Sequence, residues 1–522
     1  MKDLFCSYYT NSKDITSYMV EKLHIVEKDR ILEPSAGEGI FIDKVLEKNR
    51  MVQIDALDIN REAIAVLKKK YENNDAVVVR ETDTLLDEQL DAYSCSPLWL
   101  KELNPLYERQ RDLIGDAGGH YSKIIGNPPY GAWQDYEKRN ILKHKFAGHY
   151  VKETYSLFLL RCLSVLKSHG ILSFIIPDTY LFLNVYSRLR EILFTNTKID
   201  EILIFPSKFF PGVRFGYSNL SIITLARWEK KEAVNHVFRV VQGFHSPSEI
   251  GMLLEKNNTF PKHLQVYHFK QKDILNHEQC RIILADKKTL SLLSKPSKKL
   301  GDVADVVTGF YTGDNLRFIR TASKDVKGAK NYKVVEQDKV FHCTSLYGIS
   351  NVQEGYIPYI KSASQRRYVR QKDEWFVRWD MKTIEFYNSN KKSRFQNSSF
   401  YFNTGIGIPM VKSRRIHAFL MSNHVFDQSI VGIFPKDTAK LYYLLALMNS
   451  DVINHLIYAV NPSANNSANY IKGLPYIEPD ENVFIQINNK VQELIDLEKV
   501  ENYEKADDLH KELNGMIEQI YF

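Results

Sequence analysis

At 522 residues the chain is too long for one ordinary core, which predicts about two to four domains; 44% hydrophobic, 25% charged and 12% aromatic content excludes a fibrous or low-complexity chain. The formal net charge of +7 permits a polyanionic partner without requiring one. Cys6, Cys95, Cys162, Cys280 and Cys343 form no CxxC or metal-spaced pair, and there is neither a signal-peptide core nor an apolar run near the ~20 residues that span a bilayer, so a cytoplasmic protein without metal or membrane contact is expected.

Tyr8 to Ser12 leads into a helical pattern with Ile15, Tyr18, Met19 and Leu23 on one stripe, Thr10 or Ser12 serving as its cap. Arg30-Ile31-Leu32 reads as a strand, followed by Glu33-Pro34-Ser35-Ala36-Gly37-Glu38-Gly39-Ile40-Phe41 and a helix. A strand, a Gly-x-Gly turn and a helix let backbone N–H groups approach a ligand closely, although such a turn is often only a turn. It is not the G-x-G-x-x-G fingerprint and lacks the Lys-Ser/Thr of a phosphate loop, and its acidic residue suits an amine or a positive charge. Val52 to Leu57 is a second strand ending in Asp58, placed either to grip two ribose hydroxyls or to cap the next helix. Ala76 to Val79 makes a third, with Asp83 after it, able to accept from an amine or simply to stay solvated.

Residues 86–120, with Pro97, Pro105 and Gly118-Gly119, read as an insertion on the sheet rim. Lys123 to Gly126 is then a fourth strand that stops at Asn127-Pro128-Pro129-Tyr130. An exocyclic amine on a purine is a poor nucleophile because its lone pair is delocalised into the ring. If the Asn127 side-chain oxygen and the Pro128 carbonyl each accept one N–H, the nitrogen is drawn toward tetrahedral geometry and its lone pair is freed. The prolines cannot donate and hold φ fixed, which keeps the acceptors aimed, while Tyr130 can lie against the base. Asn-Pro and Pro-Pro are also ordinary turn signals. These polar groups all follow strands, the edge where an open parallel sheet forms its ligand crevice.

A basic and aromatic segment from Trp133 to Tyr150 is placed to close over a substrate. A helix around Tyr155 to Leu166 precedes a strand from Gly170 to Ile176 that runs into Pro177-Asp178-Thr179-Tyr180. Ile199 to Phe205 and Leu220 to Ala226, separated by Phe209-Phe210-Pro211-Gly212, complete seven strands, the last two spaced as a hairpin.

In order and content these motifs resemble the gamma-class N6-adenine DNA methyltransferases of restriction-modification systems. The resemblance implies an α/β fold: a Rossmann-like, seven-stranded catalytic domain that uses S-adenosylmethionine (1–234), a connector (235–299), a mixed α+β target-recognition domain (300–480) and a helical C-terminal segment (481–522). Thr10, beside Tyr9, is similar to the motif that contacts the methionine part of the cofactor. Glu33, Ala36, Gly37, Gly39 and Phe41 resemble the cofactor loop, Asp58 with Ile59 the ribose site, and Asp83 the holder of the adenine amine. Asn127, Pro128, Pro129 and Tyr130 match the catalytic motif residue for residue, and Phe210 resembles the aromatic on the far side of the flipped adenine, a role for which Phe205 and Phe209 compete. The implied substrate is an adenine rotated out of double-stranded DNA.

Leu300 to Gly309, and later Lys472-Gly473-Leu474-Pro475, are similar to the opening and end of TaqI-type target-recognition domains. Between them basic and aromatic residues interleave: Arg366, Arg367, Tyr368, Arg370, Trp375, Arg378 and Trp379, then Lys391, Lys392 and Arg394, then Lys412, Arg414 and Arg415. These suit phosphate and base contacts, or form a solvated basic face over a β-rich core. Leu441 to Tyr458 reads as one helical run, and the segment from Asn488 as amphipathic helices that pack on their own domain. Asn-Pro-Pro-Tyr also occurs in protein-glutamine methylases, and variants of it in RNA base methyltransferases, but a large second half with basic-aromatic clusters favours DNA. A fused nuclease is not expected, because only nine residues precede Thr10 and the second half holds no acidic-Lys nuclease motif. The intact Asn127 and Tyr130 speak against a catalytically dead DNA-binding module, while a separate cognate restriction endonuclease remains an expected partner.

Overall fold

The computed structural model describes residues 12–94, 119–131, 134–210, 219–255, 261–294, 297–370, 372–411, 415–461 and 466–522, and the chain divides into two compact units, 1–282 and 283–522. The first opens with helix α1 (Lys13–Lys22), capped by Ser12, whose hydroxyl accepts the Ile15 N–H at 3.4 Å. Strands β1 (Arg30–Glu33), β2 (Gln53–Asp58) and β3 (Val77–Glu81) alternate with helices α2 (Ile40–Lys48) and α3 (Arg61–Lys70). After α4 (Glu88–Tyr93) come β4 (Tyr121–Gly126), α5 (Tyr136–Lys145), α6 (Tyr155–Val165), β5 (Leu166–Pro177), α7 (Ser187–Asn196), β6 (Thr197–Pro206) and β7 (Asn219–Arg227).

With two further strands, β8 (Val237–Gln242) and β9 (Gln265–Lys270), the sheet order is β3-β2-β1-β4-β5-β7-β6-β8-β9. From β1 the chain winds outward through β2 and β3, then returns to lay β4 on the other side of β1, all in parallel. Helices on both faces favour such winding, and the reversal opens a crevice at the strand C-termini between β1 and β4. Ile31, Leu32, Ile124 and Ile125 are at most 1% exposed, as strands covered on both faces require. Beyond β5 the pattern changes, because β7 runs antiparallel between β5 and β6, as the hairpin spacing predicts.

Among the described residues the sheet has nine strands where seven are expected. The additional pair, β8 (Val237–Gln242) and β9 (Gln265–Lys270), comes from the stretch read as a connector. Its charged and polar residues obscure the pattern because β9 is an edge strand with most of its side chains toward solvent.

In the second unit a four-stranded sheet joins Ala304–Thr308, Ile430–Pro435, Gly405–Pro409 and Phe419–Met421, and a five-stranded sheet includes Tyr356–Ile360 and Trp375–Arg378. Lys298–Lys299 pairs antiparallel with Pro475–Tyr476, tying the two ends expected for the recognition domain. The run from Leu441 to Tyr458 is two helices, Leu441–Asn449 and Asp451–Val460, split where Ser450 caps the second by accepting from Ile453 N–H. Helices Glu481–Lys499 and Tyr503–Tyr521 bury Val491, Leu494, Leu513 and Ile517 in the same core as Val306 and Ile406, so the C-terminal segment packs on its own unit. Among the described residues no helix is long and apolar enough to cross a membrane.

Candidate active site

Gly126 ends β4 against β1's outgoing turn: a Cβ there would lie 3.3 Å from Pro34 Cδ. The next residue, Asn127, therefore leaves the sheet at the crevice. Ser35 Oγ donates to the Asn127 carbonyl at 3.3 Å, joining the two strand ends. Thr154, just before α6, donates to the Pro129 carbonyl at 2.6 Å. The Tyr130 ring is 1% exposed, and its hydroxyl donates to Asn127 Oδ1 at 2.7 Å. Tyr130 thus orients the amide through its phenol, a contact that motif reading, which gave it only a stacking face, does not supply.

The turn after β1 is held as tightly. Ala36 N–H donates to the Leu57 carbonyl and Gly39 N–H to the Ala36 carbonyl, each at 2.8 Å. Gly37 and Gly39 sit at φ +52° and +79°, where a side chain is strained. Asp58 receives Gly37 N–H on Oδ2 and Asn60 N–H on Oδ1, both at 2.8 Å, so it braces the glycine turn; the helix cap is Asn60, which accepts from Glu62 N–H. Burial raises the Asp58 carboxyl, with the N–H groups of Asn60, Gly37 and Ile59 opposing. Ile59 stands 43% exposed beside it, whereas the Phe41 ring is buried in the core behind α2.

Glu33 is 2% exposed at the end of β1, and its Oε2 has no hydrogen-bond partner. Burial drives its carboxyl well above the ordinary range, and the negative charges of Asp58 and Asp43 add to the shift. An orphaned buried carboxyl oxygen beside the glycine turn fits a ligand that carries an N–H donor or a positive charge.

Asp83 lies past β3 and pairs with Lys138 on α5. Its loop is pinned from below: Thr84 Oγ1 donates to the Pro34 carbonyl, and the buried Arg161 guanidinium reaches the Thr84 and Asp87 carbonyls and Asp91. On β5's end Asp178 is 6% exposed, accepts from Asn219 at 3.2 Å, and is pushed by burial up to about 7. Sequence reading assigns no role to Ser35, Thr84, Thr154, Arg161, Lys138 or Asp178; only Asp178, directly after a strand, carries a local signal.

Phe205 lies one residue before the end of β6, with Phe209 and Phe210 stacked near it at 5.7 and 6.3 Å. Phe205 and Phe210 are buried and Phe209 is half-buried. Thr10, Arg414 and Lys412, with Trp133, Pro97, Pro105 and most of the 86–120 insertion, lie outside the described residues.

The basic clusters divide. Arg366 is bidentate on Glu498, which is 3% exposed, and also reaches Asp507; Arg367 pairs with Asp507. Arg370 is nearly buried beside Asp373, Arg378 pairs with Asp380, and Trp375, Trp379 and Tyr368 are core residues. The arginines of the first cluster are therefore tied to acidic residues within the second unit, Arg366 and Arg367 to the C-terminal helices and Arg370 and Arg378 to their own neighbourhood. Lys391, Lys392 and Arg394 are exposed, as is Arg415, which pairs with Asp451 at 3.2 Å.

Residues 44–210 match the family described as Eco57I restriction-modification methylase, a span that holds Asp58, Asp83, Asn127 to Tyr130 and Phe210 but begins after the glycine turn. The chain is 24% identical over 314 residues to the type II methyltransferase M.AccI of Acinetobacter calcoaceticus, covering 59% of this chain and 51% of that protein. It is 22% identical over 373 residues to the adenine-specific methyltransferase BrxX of Escherichia coli O9:H4 (strain HS), covering 69% of this chain and 28% of that one. The chain therefore spans about half, or less, of the length of these relatives. In fold it is similar to a nuclease-deletion mutant of the Type ISP restriction-modification enzyme LlaGI, with TM-score 0.55 and 13% identity, covering 94% of this chain and 47% of that one. By sequence the chain is thus similar to methyltransferases of restriction-modification systems, and the family match covers the segment that carries Asn127 to Tyr130.

Proposed function

We propose that the protein is a site-specific DNA adenine N6-methyltransferase of the gamma arrangement, using S-adenosylmethionine and protecting DNA from a cognate restriction endonuclease. The observation that carries this is Asn127 leaving β4 at the switch point, its side-chain oxygen held by Tyr130 and its carbonyl tied to the turn that bears Glu33, Gly37 and Gly39. In this reading the cofactor, cradled by Glu33, the glycine turn, Asp58 and Ile59, supplies an already activated methyl group. Asn127 Oδ1 and the Pro128 carbonyl accept the amine's hydrogens and aim its lone pair; Thr154 and Ser35 hold that segment still. Residues Phe205 to Phe210 and Tyr130 would flank the base, and Asp83, paired with Lys138, would hold the cofactor's adenine amine. Catalysis is then positioning and polarisation within a fixed frame. The second unit, over 300–480, reads the target in the TaqI manner, with Lys391, Lys392 and Arg394 as its phosphate contacts.

The test is incubation with labelled S-adenosylmethionine and plasmid DNA, followed by sequencing that detects modified adenines. Methylation at one recurring sequence is expected. Label appearing in RNA, or on glutamine in protein, with none in DNA assigns the same site to those substrates and overturns the proposal.

A further inference from the structure

β8 ends at Gln242, and Gly243, at φ +99°, turns the chain toward His245. A Cβ on Gly243 would lie 3.1 Å from the His263 carbonyl oxygen, so a side chain at 243 would crowd the stretch that precedes β9. Glu249 sits between them in sequence, on helix α8 (Pro247–Met252). The His245 and His263 rings lie face to face, 4.1 Å between centroids and 7° between planes. Glu249 Oε1 is 3.2 Å from His263 Nε2, while Oε2 accepts the His245 backbone N–H at 2.8 Å. One ligand atom from each of the three side chains lies within 4.8 Å of the others.

We infer that His245, Glu249 and His263 bind a divalent transition-metal ion of the zinc class. Two imidazole nitrogens and one carboxylate are a donor set that zinc accepts and that oxygen-seeking magnesium or calcium does not favour, and three protein ligands leave a position for water. A plain histidine–carboxylate ion pair accounts for only one of the rings. The second ring also places a nitrogen within 4.8 Å of that carboxylate, so all three side chains offer a donor atom to one place. Glu249 is 14% exposed in its side chain and already oriented by the His245 N–H, so one ligand is preset. The three residues come from β8's exit, α8 and β9's approach, and Gly251 of α8 lies against Asp14 of α1. A bound ion therefore clips the sheet's last hairpin and α8 together, and its role is structural and separate from methyl transfer.

Tag-free full-length protein stripped with a chelator is titrated with zinc chloride by calorimetry and with cobalt chloride by visible absorption. A single tight site is expected, with the intense d–d bands of low-coordinate cobalt, and zinc should raise the melting temperature. His245→Gln and His263→Gln should each weaken binding by roughly tenfold or more and lose the thermal shift, with circular dichroism confirming their fold; Glu249→Gln serves if either misfolds. Absence of uptake by the parent overturns the inference. So does equal affinity in parent and variants, which would place the ion on other histidines or cysteines.

Discussion

In the proposed reaction Asn127 needs its amide oxygen aimed at the substrate, and the Tyr130 hydroxyl, which donates to that oxygen, would supply the aim while its ring would face the base. Asn127→Ala is expected to lower methyl transfer by roughly 10²-fold or more while DNA binding by gel shift persists. Tyr130→Phe keeps the ring and removes the phenol, so a loss of roughly 2- to 10-fold in kcat with little change in KM is expected, from a hydrogen bond worth about 0.5–1.5 kcal/mol. Tyr130→Ala should also raise KM for DNA; identical kinetics for the two Tyr130 variants would remove the ring from the base pocket. Asp178 gives a second handle. Its buried carboxyl is pushed up to about 7, so the folded state holds that proton more tightly than the unfolded chain does. Its contribution is full below the ordinary carboxylate range, declines by at most about 1.4 kcal/mol per pH unit as pH rises toward 7, and is constant above. Asp178→Asn can still accept from Asn219 and cannot ionise, so its melting-temperature advantage over the parent should grow from pH 5 to pH 8. A pH-independent difference would mean that the carboxyl is not desolvated.

Among elements, the turn between β1 and α2 is the most demanding. Gly39 is both the left-handed residue before α2 and a contact surface: a Cβ there would lie 2.8 Å from Leu67 Cδ2 and from Tyr71 Oη. Gly39→Ala should cost about 1–3 kcal/mol by urea unfolding and weaken cofactor binding by calorimetry; unchanged values for both would show that the turn can relax. Asp58 is built into the same turn, so Asp58→Ala should reduce cofactor affinity through two routes, loss of the ribose acceptor proposed for it and a loosened Gly37. In the second unit the C-terminal helices are tied to Arg366 through Glu498. Glu498→Gln should lower the unit's stability by about 1–3 kcal/mol with cofactor affinity unaltered, whereas an Arg366 that contacts DNA would show its main effect in gel shifts.

For the whole molecule, the division into 1–282 and 283–522 predicts that the first unit made alone folds and binds S-adenosylmethionine but loses methylation at a defined sequence. Methylation of the same sites by 1–282 would remove target recognition from the second unit. The first unit's order was legible because each βα step carries its own signal: β-branched runs, a Gly-x-Gly turn, and polar residues directly after strands. β8 and β9 were not: β9 is an edge strand and lacks the two-sided apolar covering that marks an interior one, and β8, interior with Phe238, Val240 and Val241 buried, lies in the same polar stretch. Nor was the fate of Arg366, because an arginine that meets a buried glutamate more than a hundred residues away reads locally like one that meets a phosphate.

Local chemistry in the chain alone determined that a strand ends in Asn127-Pro128-Pro129-Tyr130, that a glycine turn precedes it, and that two carbonyl acceptors stand at the strand's end; proline rigidity and strand propensity act over a few residues and need no partner. Only the tertiary structure decided that Ser35 and Asn127 meet, that Arg161 and Lys138 hold the Asp83 loop, and that Asp178 is buried. Each of those depends on which strand returns beside β1, and that choice is made by burial summed over the whole sheet.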